Sequence, residues 1–233
     1  MLEAAARVPV CKFVFQKKLP TGTYEPVDVD ICVDNVLAVR NTKLLHEYAK
    51  LDPRVAALGR VVKAWAKRSR IVGTPDGMLS SYTYIILVLA YLQNCDAPVV
   101  PNLQAAGLEP GEELEPSVIT DGNRSYNVAF RTDISWKSSN DSTTAELLYG
   151  FFAYYGRDFN WTSQCVSIRS GMHPKATDEA REKWVIADPF EHWRNLAGQC
   201  SEYGKCQILS AFRHGQAMVR ALRLPNLSRR AAG

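Results

Sequence analysis

Two stretches near the start of the chain have the hydrophobic pattern of β-strands. Residues 7–16 are rich in apolar and β-branched side chains that alternate in part, and residues 27–33 alternate strictly between apolar and polar positions. A strict period of two places Asp28 and Asp30 on one face of the second strand and its valines and isoleucine on the other. The segment between the strands contains Pro and Gly, which are typical of turns, so the pattern predicts a hairpin or a neighbouring pair of strands.

The period of the apolar positions becomes helical after residue 40. Asn41 or Thr42 can cap a first helix that ends at Asp52 and Pro53. The apolar stripe that follows predicts a second helix over residues 54–70.

A third predicted helix begins at Ser80 or Ser81 and is apolar nearly all round, which is typical of a helix at the centre of a helical domain. The remaining predicted elements are a surface connection over 94–125, a short strand at 127–134, an aromatic helix from Thr143 or Thr144, strands at 165–168 and 184–188, and a helix over 194–219. Together the patterns predict an α+β fold. A small sheet fragment over residues 1–40 precedes a mostly helical domain over residues 41–233 that contains a second small β element.

The amino-acid composition indicates a globular protein but does not identify a ligand. Apolar residues make up 46% of the chain and charged residues 22%, which is ordinary for a globular protein and excludes a disordered or fibrous one. The formal net charge of +4 permits an anionic ligand without requiring one. The longest apolar run, from Tyr84 to Leu92, is far shorter than the ~20 residues of a membrane-spanning helix, so no membrane partner is expected.

The six cysteines are scattered along the chain, and no two form the C-x-x-C pair of a zinc site or a redox motif. This usage predicts reduced, mostly buried thiols in an intracellular protein. The four histidines show no metal-ligand spacing and no nucleophile partner, so they are interpreted as ordinary surface or core residues.

Asp28 and Asp30 are candidate metal ligands. Carboxylates on one face of a strand offer the hard oxygen ligands that Mg²⁺ prefers. An edge strand that simply shows its aspartates to water has the same pattern, and a single D-x-D is weak evidence for a metal.

Lys63 and Lys67 lie one helical turn apart, shortly before Ser81 and Tyr82 begin the next helix. Two lysines beside a helix N-terminus can surround a polyphosphate, and Tyr82 can stack on a base. The alternative is a solvated basic face with Tyr82 in the core. The spacing by itself leaves both open.

Asp188 and Glu191 follow a short predicted strand, at a turn of the kind that often displays binding groups. The same residues fit a helix start, with Asp188 as the N-cap, Pro189 in the first turn and Glu191 completing a capping box. The two interpretations are compatible.

Several motifs occur in a fixed order along the chain. They are RVPVCKF, VDVDICVDN, LAVRNTKLLHEYAKLDPRV, LGRVVKAWAKRSRI, GMLSSYTYIILVLAYLQ, ELLYGFFAYYG, VSIR and IADPFE. This order resembles that of the terminal uridylyltransferases and non-canonical poly(A) polymerases, which are DNA polymerase β-like nucleotidyltransferases. The resemblance covers residues 6 to about 220 and extends to the compact RNA uridylyltransferases of kinetoplastid protists. It implies the C-terminal strands of a nucleotidyltransferase catalytic (palm) domain, followed by a helical central domain with a poly(A)-polymerase-associated segment at about residues 143–200.

The resemblance also implies roles for individual positions. Asp30 matches the third metal-binding carboxylate, which implies Mg²⁺ or Mn²⁺ as the cofactor. The positions that match nucleotide-binding residues are Asn41 and Thr42 at the ribose, Lys63, Lys67 and Ser81 at the triphosphate, Tyr82 at the face of the base, and Asp188 and Glu191 at its edge. Arg194 falls where some family members have a uridine-selecting histidine, so this chain departs from the family there.

The reaction that the resemblance implies is template-independent addition of UMP from UTP to RNA 3′ ends by two-metal nucleotidyl transfer. UTP and an RNA 3′ end are then the expected partners, in the cytoplasm or in mitochondria. The chemistry of the base agrees, because a carboxylate can accept the N3 proton of uracil whereas adenine presents a bare N1 acceptor at the comparable edge. The exocyclic amine of adenine can also donate, so ATP stays open.

Two of the family's metal-binding carboxylates have no match in this sequence. The strand RVPVCKF, which follows that pair in the family, here precedes Asp28, so Asp28 and Asp30 are not interpreted as the pair. This chain alone is expected to bind UTP weakly and to transfer nothing measurable. Three functions stay open: a uridylyltransferase represented by an incomplete chain, a non-catalytic nucleotide- or RNA-binding paralogue, and transfer of adenylate instead of uridylate.

Overall fold

The computed structural model describes residues 2–3, 10–105, 117–121, 123–175 and 183–222. The chain divides into two compact units between Thr42 and Lys43, and each unit is described by itself.

The first unit contains a three-stranded antiparallel sheet. Its strands are β1 (Leu2–Glu3), β2 (Val10–Lys18) and β3 (Tyr24–Cys32), in the order β1-β2-β3. The turn between β2 and β3 is closed by a hydrogen bond from Gly22 N to Leu19 O of 2.9 Å, with Gly22 at a φ of 83° that favours glycine. The predicted hairpin is confirmed.

The register of β2 against β3 separates the two faces of this sheet. Phe13 lies opposite Val29, and Lys12 lies opposite Asp30. Directly opposed residues share a face, so one face is apolar and the other carries the two aspartates of β3. The predicted alternation is confirmed.

Helix α1 (Val36–Leu51) begins before the predicted cap at Asn41 or Thr42. Asn35 Oδ1 accepts a hydrogen bond of 3.2 Å from Ala38 N, which is the capping contact of a helix start. Asn41 and Thr42 therefore lie inside the helix, and the prediction that one of them caps it is wrong.

Helix α2 (Pro53–Arg68) starts one residue before the predicted position 54. Asp52 is the N-cap and accepts from Arg54 N over 2.8 Å, with Pro53 in the first turn. The helix ends before the predicted Arg70, because Arg70 adopts a φ of 56° and Ile71 N donates back to Ala66 O. This arrangement is a Schellman-type end.

Helix α3 (Ser81–Asn94) is capped by Ser80, whose hydroxyl accepts from Thr83 N. Its side chains are buried on almost every side, so the predicted central position is confirmed. An aromatic cluster packs around it: the Trp65 ring lies 4.8 Å from Phe152 and 5.3 Å from Phe212 between centroids.

The predicted connection over 94–125 and strand at 127–134 are corrected by a hairpin. Strands β4 (Val118–Asp121) and β5 (Arg124–Asn127) pair antiparallel. Residues 128–134 form no strand because Asn127 Oδ1 accepts from Ala129 N and turns the backbone away. Residues 106–116 of the predicted connection lie outside the described part.

The aromatic helix α4 (Thr144–Ala153) is capped by Thr143, which forms a capping box with Glu146. A π-helical turn (Tyr154–Asp158) follows it. A second sheet contains β6 (Gln164–Val166), β7 (His173–Pro174) and β8 (Val185–Ile186), in the order β7-β6-β8, with β8 parallel to β6. The two predicted strands are confirmed, although both are shorter than expected.

The last helix, α5 (Glu202–Ala221), begins later than the predicted Arg194. Asn195 holds the preceding segment against β8: its Oδ1 accepts from Ile186 N over 3.0 Å, and its Nδ2 donates to Trp184 O over 2.7 Å. These tertiary contacts fix residues 194–200 as an irregular segment and delay the helix to its cap at Ser201.

All six cysteines are free thiols, but only Cys165 is fully buried. Cys11, Cys32 and Cys206 are exposed, so the predicted burial of most of the thiols is wrong. Among the described residues, no helix is both long enough and apolar enough to span a membrane.

Candidate functional site

The turn after β8 holds the two predicted base-edge carboxylates. Asp188 Oδ1 accepts from Phe190 N over 3.0 Å and from Glu191 N over 3.1 Å. The turn is closed by hydrogen bonds from Asp188 N to Arg194 O and from Arg194 N to Glu191 O. Asp188 therefore makes the capping contacts that its sequence predicts, but no helix follows, and the predicted helix start is wrong.

The two carboxylates are buried and share one cation. Asp188 and Glu191 are each 2% exposed. Arg194 Nη1 lies 2.9 Å from Glu191 Oε2 and 4.0 Å from Asp188 Oδ2. Asp188 Oδ2 is buried without a hydrogen-bond partner among the described residues. Burial raises the pKa of Asp188, against the opposing effect of its two backbone hydrogen bonds.

Tyr82 lies close to this turn. It is half-buried in the first turn of α3. Burial raises the pKa of its hydroxyl, and the charges of Asp188 and Glu191 raise it further while Arg194 lowers it. Side chains far apart in the sequence thus share one electrostatic environment, and the structure brings together four of the predicted nucleotide-binding residues.

Lys63 and Lys67 lie on the exposed side of α2, one turn apart. Neither forms an ion pair with a residue that the structure describes, so both ammonium groups are available to an anion. Ser81 is the first residue of α3 and is half-buried, while the capping role belongs to Ser80.

The first unit holds the remaining predicted site residues. Asp28 and Asp30 are both exposed on the polar face of β3. Asn41 and Thr42 lie in the middle of α1, where Thr42 Oγ1 donates to Ala38 O over 2.9 Å.

The aspartates of β3 have the oxygen chemistry that suits Mg²⁺. No group of three or more His, Cys, Asp and Glu side chains within the described ranges could hold a metal ion. Asp28 and Asp30 therefore belong to no such group of three among the described residues.

A cavity of about 490 Å³ reaches Asp188 from the side of the second sheet. Its polar lining includes Ser167, Arg169 and His192, and Tyr82 is not part of it. Burial lowers the pKa of Arg169, and it also lowers that of His192, with Arg169 contributing. The cavity adjoins the base-edge turn without containing the predicted stacking residue.

Sequence reasoning missed two residues at this turn. Gln104 Nε2 donates to Pro189 O over 3.0 Å, and Gln104 Oε1 is buried without a partner among the described residues. Gln104 lies in a predicted surface connection and carries no motif, so nothing in the pattern pointed to it. Asn195, which ties the turn to β8, follows the IADPFE motif, but a single Asn in a predicted helix gave no signal.

Two segments of the chain match models of known protein families. Residues 143–194 match the Cid1 family of poly A polymerases, and residues 2–50 match the central palm domain of mitochondrial-like poly(A) RNA polymerases. The solved structure of Cid1 in complex with the UTP analogue UMPNPP is similar, with a TM-score of 0.78 and 32% identity over 97% of this chain and 69% of the Cid1 chain. The chain belongs to the Cid1-like RNA nucleotidyltransferases. The family predicted from the motifs is confirmed.

The relatives of this nucleotidyltransferase include both adenylate- and uridylate-adding proteins by name. Human poly(A) RNA polymerase GLD2 is 33% identical over 192 residues, which are 80% of this chain and 36% of GLD2. Human terminal uridylyltransferase 4 is 31% identical over 235 residues, which are 97% of this chain and 14% of that protein. The chain thus spans well under two thirds of the length of these relatives. The two sequence identities are too similar to decide whether the transferred nucleotide is UMP or AMP. The similarity to kinetoplastid enzymes stays a prediction.

A mutant of the Cid1 poly(U) polymerase has been solved with MgATP, with a TM-score of 0.77, 32% identity and coverage of 97% of this chain and 68% of that one. Cid1 has also been solved with its short product ApU. Cid1, which is similar in fold to this chain, therefore binds a Mg-nucleotide and a short RNA product.

Proposed function

We propose that this chain serves template-independent transfer of UMP from UTP to RNA 3′ ends. The observation that carries the proposal is the grouping of Tyr82 with the buried turn of Asp188, Glu191 and Arg194. A half-buried aromatic ring beside two buried carboxylates and one arginine offers a stacking surface together with acceptors and donors at the edge of a base.

The donor and acceptor pattern of this turn favours uracil. Asp188 Oδ2 is a buried acceptor without a partner among the described residues, and the N3–H of uracil is a donor that can satisfy it. The guanidinium of Arg194 carries only donors, which suit a carbonyl oxygen of uracil and oppose the exocyclic amine of adenine. Arg194 is therefore proposed to replace the family's histidine as a donor.

The other predicted residues are assigned by what they can bind. Lys63 and Lys67 are proposed to hold the triphosphate because both are exposed and neither forms an ion pair with a described carboxylate. Ser81, at the start of α3, is proposed to contact a phosphate where a helix N-terminus favours an anion. Asn41 and Thr42 are proposed to contact the ribose.

Mg²⁺ or Mn²⁺ is proposed as the metal, and it would activate the 3′-hydroxyl and stabilise the pyrophosphate leaving group. Asp30 is the one carboxylate proposed as its ligand. Because the described residues do not complete a metal centre, we propose that the chain of 233 residues by itself binds UTP weakly and transfers no measurable UMP. Residues 1–40 and 41–233 are proposed as the palm and central domains.

Transfer of adenylate is the second candidate, favoured by the 33% identity to human poly(A) RNA polymerase GLD2. A non-catalytic nucleotide- or RNA-binding role is the third, favoured by the incomplete set of metal ligands among the described residues. In the third case Asp30→Ala is expected to leave the biological role intact.

Equilibrium binding of MgUTP and MgATP to the purified chain tests the proposal. We expect tighter binding of UTP, and we expect Asp188→Asn to reduce this preference, because an amide NH₂ in the place of Oδ2 is a donor and cannot accept from N3–H. Lys50→Ala, which removes an exposed lysine paired with Glu47, serves as the control. Tighter binding of ATP would favour the adenylate candidate, and robust Mg²⁺-dependent tailing by this chain alone would contradict the proposed inactivity.

A further inference from the structure

Trp193 exposes a large apolar ring beside the base-edge turn. Its side chain belongs to a residue that is 58% exposed, whereas the other four tryptophans of the chain are buried or half-buried. It follows Glu191 by two residues and precedes Arg194. An indole held in water at this place lacks the burial that normally stabilises such a ring.

Two side chains of β5 lie against the indole. The Tyr126 ring lies 5.5 Å from it between centroids, and the guanidinium of Arg124 lies 5.7 Å from its centroid. Residues two apart on a strand point to the same side, so both contact the indole from the hairpin side. With 58% of the residue exposed, part of the indole stays open to solvent despite these two contacts.

The indole of Trp193 is held by the ring of Tyr126 and by the hydrogen-bonded turn that carries it. Tyr126 is only 3% exposed and forms a fixed base for the indole. The turn that carries Trp193 is closed by hydrogen bonds between Asp188 and Arg194 and between Arg194 and Glu191. A ring that is already ordered loses little conformational entropy when a ligand stacks on it.

The charges around the ring favour a polyanion that carries flat groups. Arg124 forms no ion pair with any carboxylate in the described part of the chain, and its guanidinium lies 5.7 Å from the centroid of the ring. An aromatic ring beside a cation is a combination that binds single-stranded nucleic acid, because a base stacks on the ring and a phosphate meets the cation. Polar His192 and Arg194 beside the ring give little of the apolar core that a protein interface requires.

We propose that Trp193 stacks on an unpaired base near the 3′ end of the RNA substrate and so positions that end beside the nucleotide site. This proposal rests on the RNA nucleotidyltransferase function above, and it assigns Trp193 a positioning role in RNA binding. Tyr126 and Arg124 act through the indole by holding it flat.

Equilibrium binding of a fluorescently labelled single-stranded oligouridylate to the chain tests the proposal at low salt. Trp193→Ala is expected to weaken binding by about 5- to 150-fold, since stacking of one base accounts for that range of affinity. Trp193→Phe keeps an aromatic face and is expected to retain most of the affinity. Tyr203→Ala is the matched control, because Tyr203 is an aromatic residue on α5 that is 67% exposed.

Tryptophan fluorescence gives a second measurement that a merely structural role would not change. Trp193 is the exposed tryptophan, so iodide is expected to quench it most strongly. The single-stranded RNA is expected to protect it, and Trp193→Phe is expected to abolish this protected signal. A blunt RNA duplex, which offers no unpaired base, is expected to protect it poorly.

The proposal is overturned if Trp193→Ala binds the oligouridylate as tightly as the wild type, or if the wild type binds duplex and single strand equally. It is also overturned if Trp193→Ala changes only the sedimentation of the protein, which would indicate a protein-docking surface. Nucleotide binding is measured in the same variants. A Trp193→Ala variant that loses RNA affinity and keeps the UTP affinity of the wild type supports the proposal. If the wild type binds RNA through Trp193 but binds no nucleotide, the proposed function is contradicted and the role of Trp193 in RNA binding is not.

Discussion

The guanidinium of Arg194 donates to Glu191 Oε2 across 2.9 Å while it remains 4.0 Å from Asp188 Oδ2. One cation therefore faces two almost completely buried carboxylates and forms a hydrogen bond with only one of them. Glu191 is the neutralised member of this pair, and Asp188 keeps an acceptor for a ligand. The two carboxylates are thus expected to respond differently to substitution.

Arg194→Ala is expected to destabilise the protein because it leaves Glu191 buried without its cation. Loss of a partner by a buried polar group costs about 1–3 kcal/mol, and in a chain of this size each kcal/mol lowers Tm by about 2–4 °C. Adding Glu191→Gln to this variant is expected to restore part of the loss. Thermal unfolding followed by circular dichroism measures both.

Arg157→Ala is the matched control for this experiment. Arg157 and Asp158 form an ion pair of 2.8 Å whose side chains are 67% and 49% exposed. Exposed pairs contribute little to stability, so this variant is expected to unfold close to the wild type. An Arg194→Ala protein that unfolds no earlier than the control would contradict the assigned role of Arg194.

Asp188→Asn is expected to stabilise the protein at neutral pH. Burial raises the pKa of Asp188, so the folded chain keeps this proton at pH values where the unfolded chain has already lost it. The stability that the proton contributes is present at low pH and is lost as the pH rises through the raised folded pKa. At neutral pH the ionised carboxylate therefore opposes folding, and Asn removes that cost.

The measurement is Tm of the Asp188→Asn variant and of the wild type at two pH values. A rise of about 2–4 °C is expected at pH 7 for each kcal/mol gained. At about pH 3, below the ordinary pKa of aspartic acid, both proteins are neutral at this position and are expected to unfold together. The same difference at both pH values would show that the charge is not its cause.

Tyr82→Leu is expected to weaken binding of UTP by about 1–3 kcal/mol because it removes the stacking ring. Tyr82→Phe keeps the ring and is expected to bind UTP almost as the wild type does. Isothermal titration calorimetry measures both affinities. If Tyr82→Phe lost as much affinity as Tyr82→Leu, the hydroxyl and not the face of the ring would be the binding group.

Lys63→Ala and Lys67→Ala are expected to weaken binding of the triphosphate. A hydrogen bond to a charged group contributes about 1.5–3 kcal/mol, which corresponds to about 10- to 150-fold in affinity. The loss is expected to be larger for UTP than for uridine, which has no phosphate. An equal loss for uridine and UTP would place these lysines elsewhere than at the phosphates.

Local signals along the chain predicted several elements well. The alternation of residues 27–33 predicted the faces of β3, and the all-round apolarity of the third helix predicted its central position. Both patterns indicate which side chains are buried, because the geometry of a strand or helix fixes which positions share a face. The aromatic helix was predicted to start at Thr143 or Thr144, and Thr143 is its cap.

Other boundaries depended on contacts that no local pattern contains. The side chain of Asn35 caps α1, so this helix starts before the predicted caps. The side chain of Asn195 hydrogen-bonds to β8, so the segment around it is not helical as predicted. In both cases a side-chain hydrogen bond competed with the preference of the neighbouring residues. Asp188 made the predicted capping contacts, yet the chain turned back at Arg194 instead of entering a helix.

By itself the sequence determined the family and the residue types of the candidate site, because ordered motifs and the period of apolar positions are properties of the chain. Only the tertiary structure decided that Tyr82 shares its surroundings with the turn of Asp188 and Arg194. It alone showed that Asp188 keeps an unpartnered oxygen among the described residues and that Trp193 lies over Arg124 and Tyr126. Burial, charge and stacking arise from segments far apart along the chain, and packing of the second unit sets the distances between them.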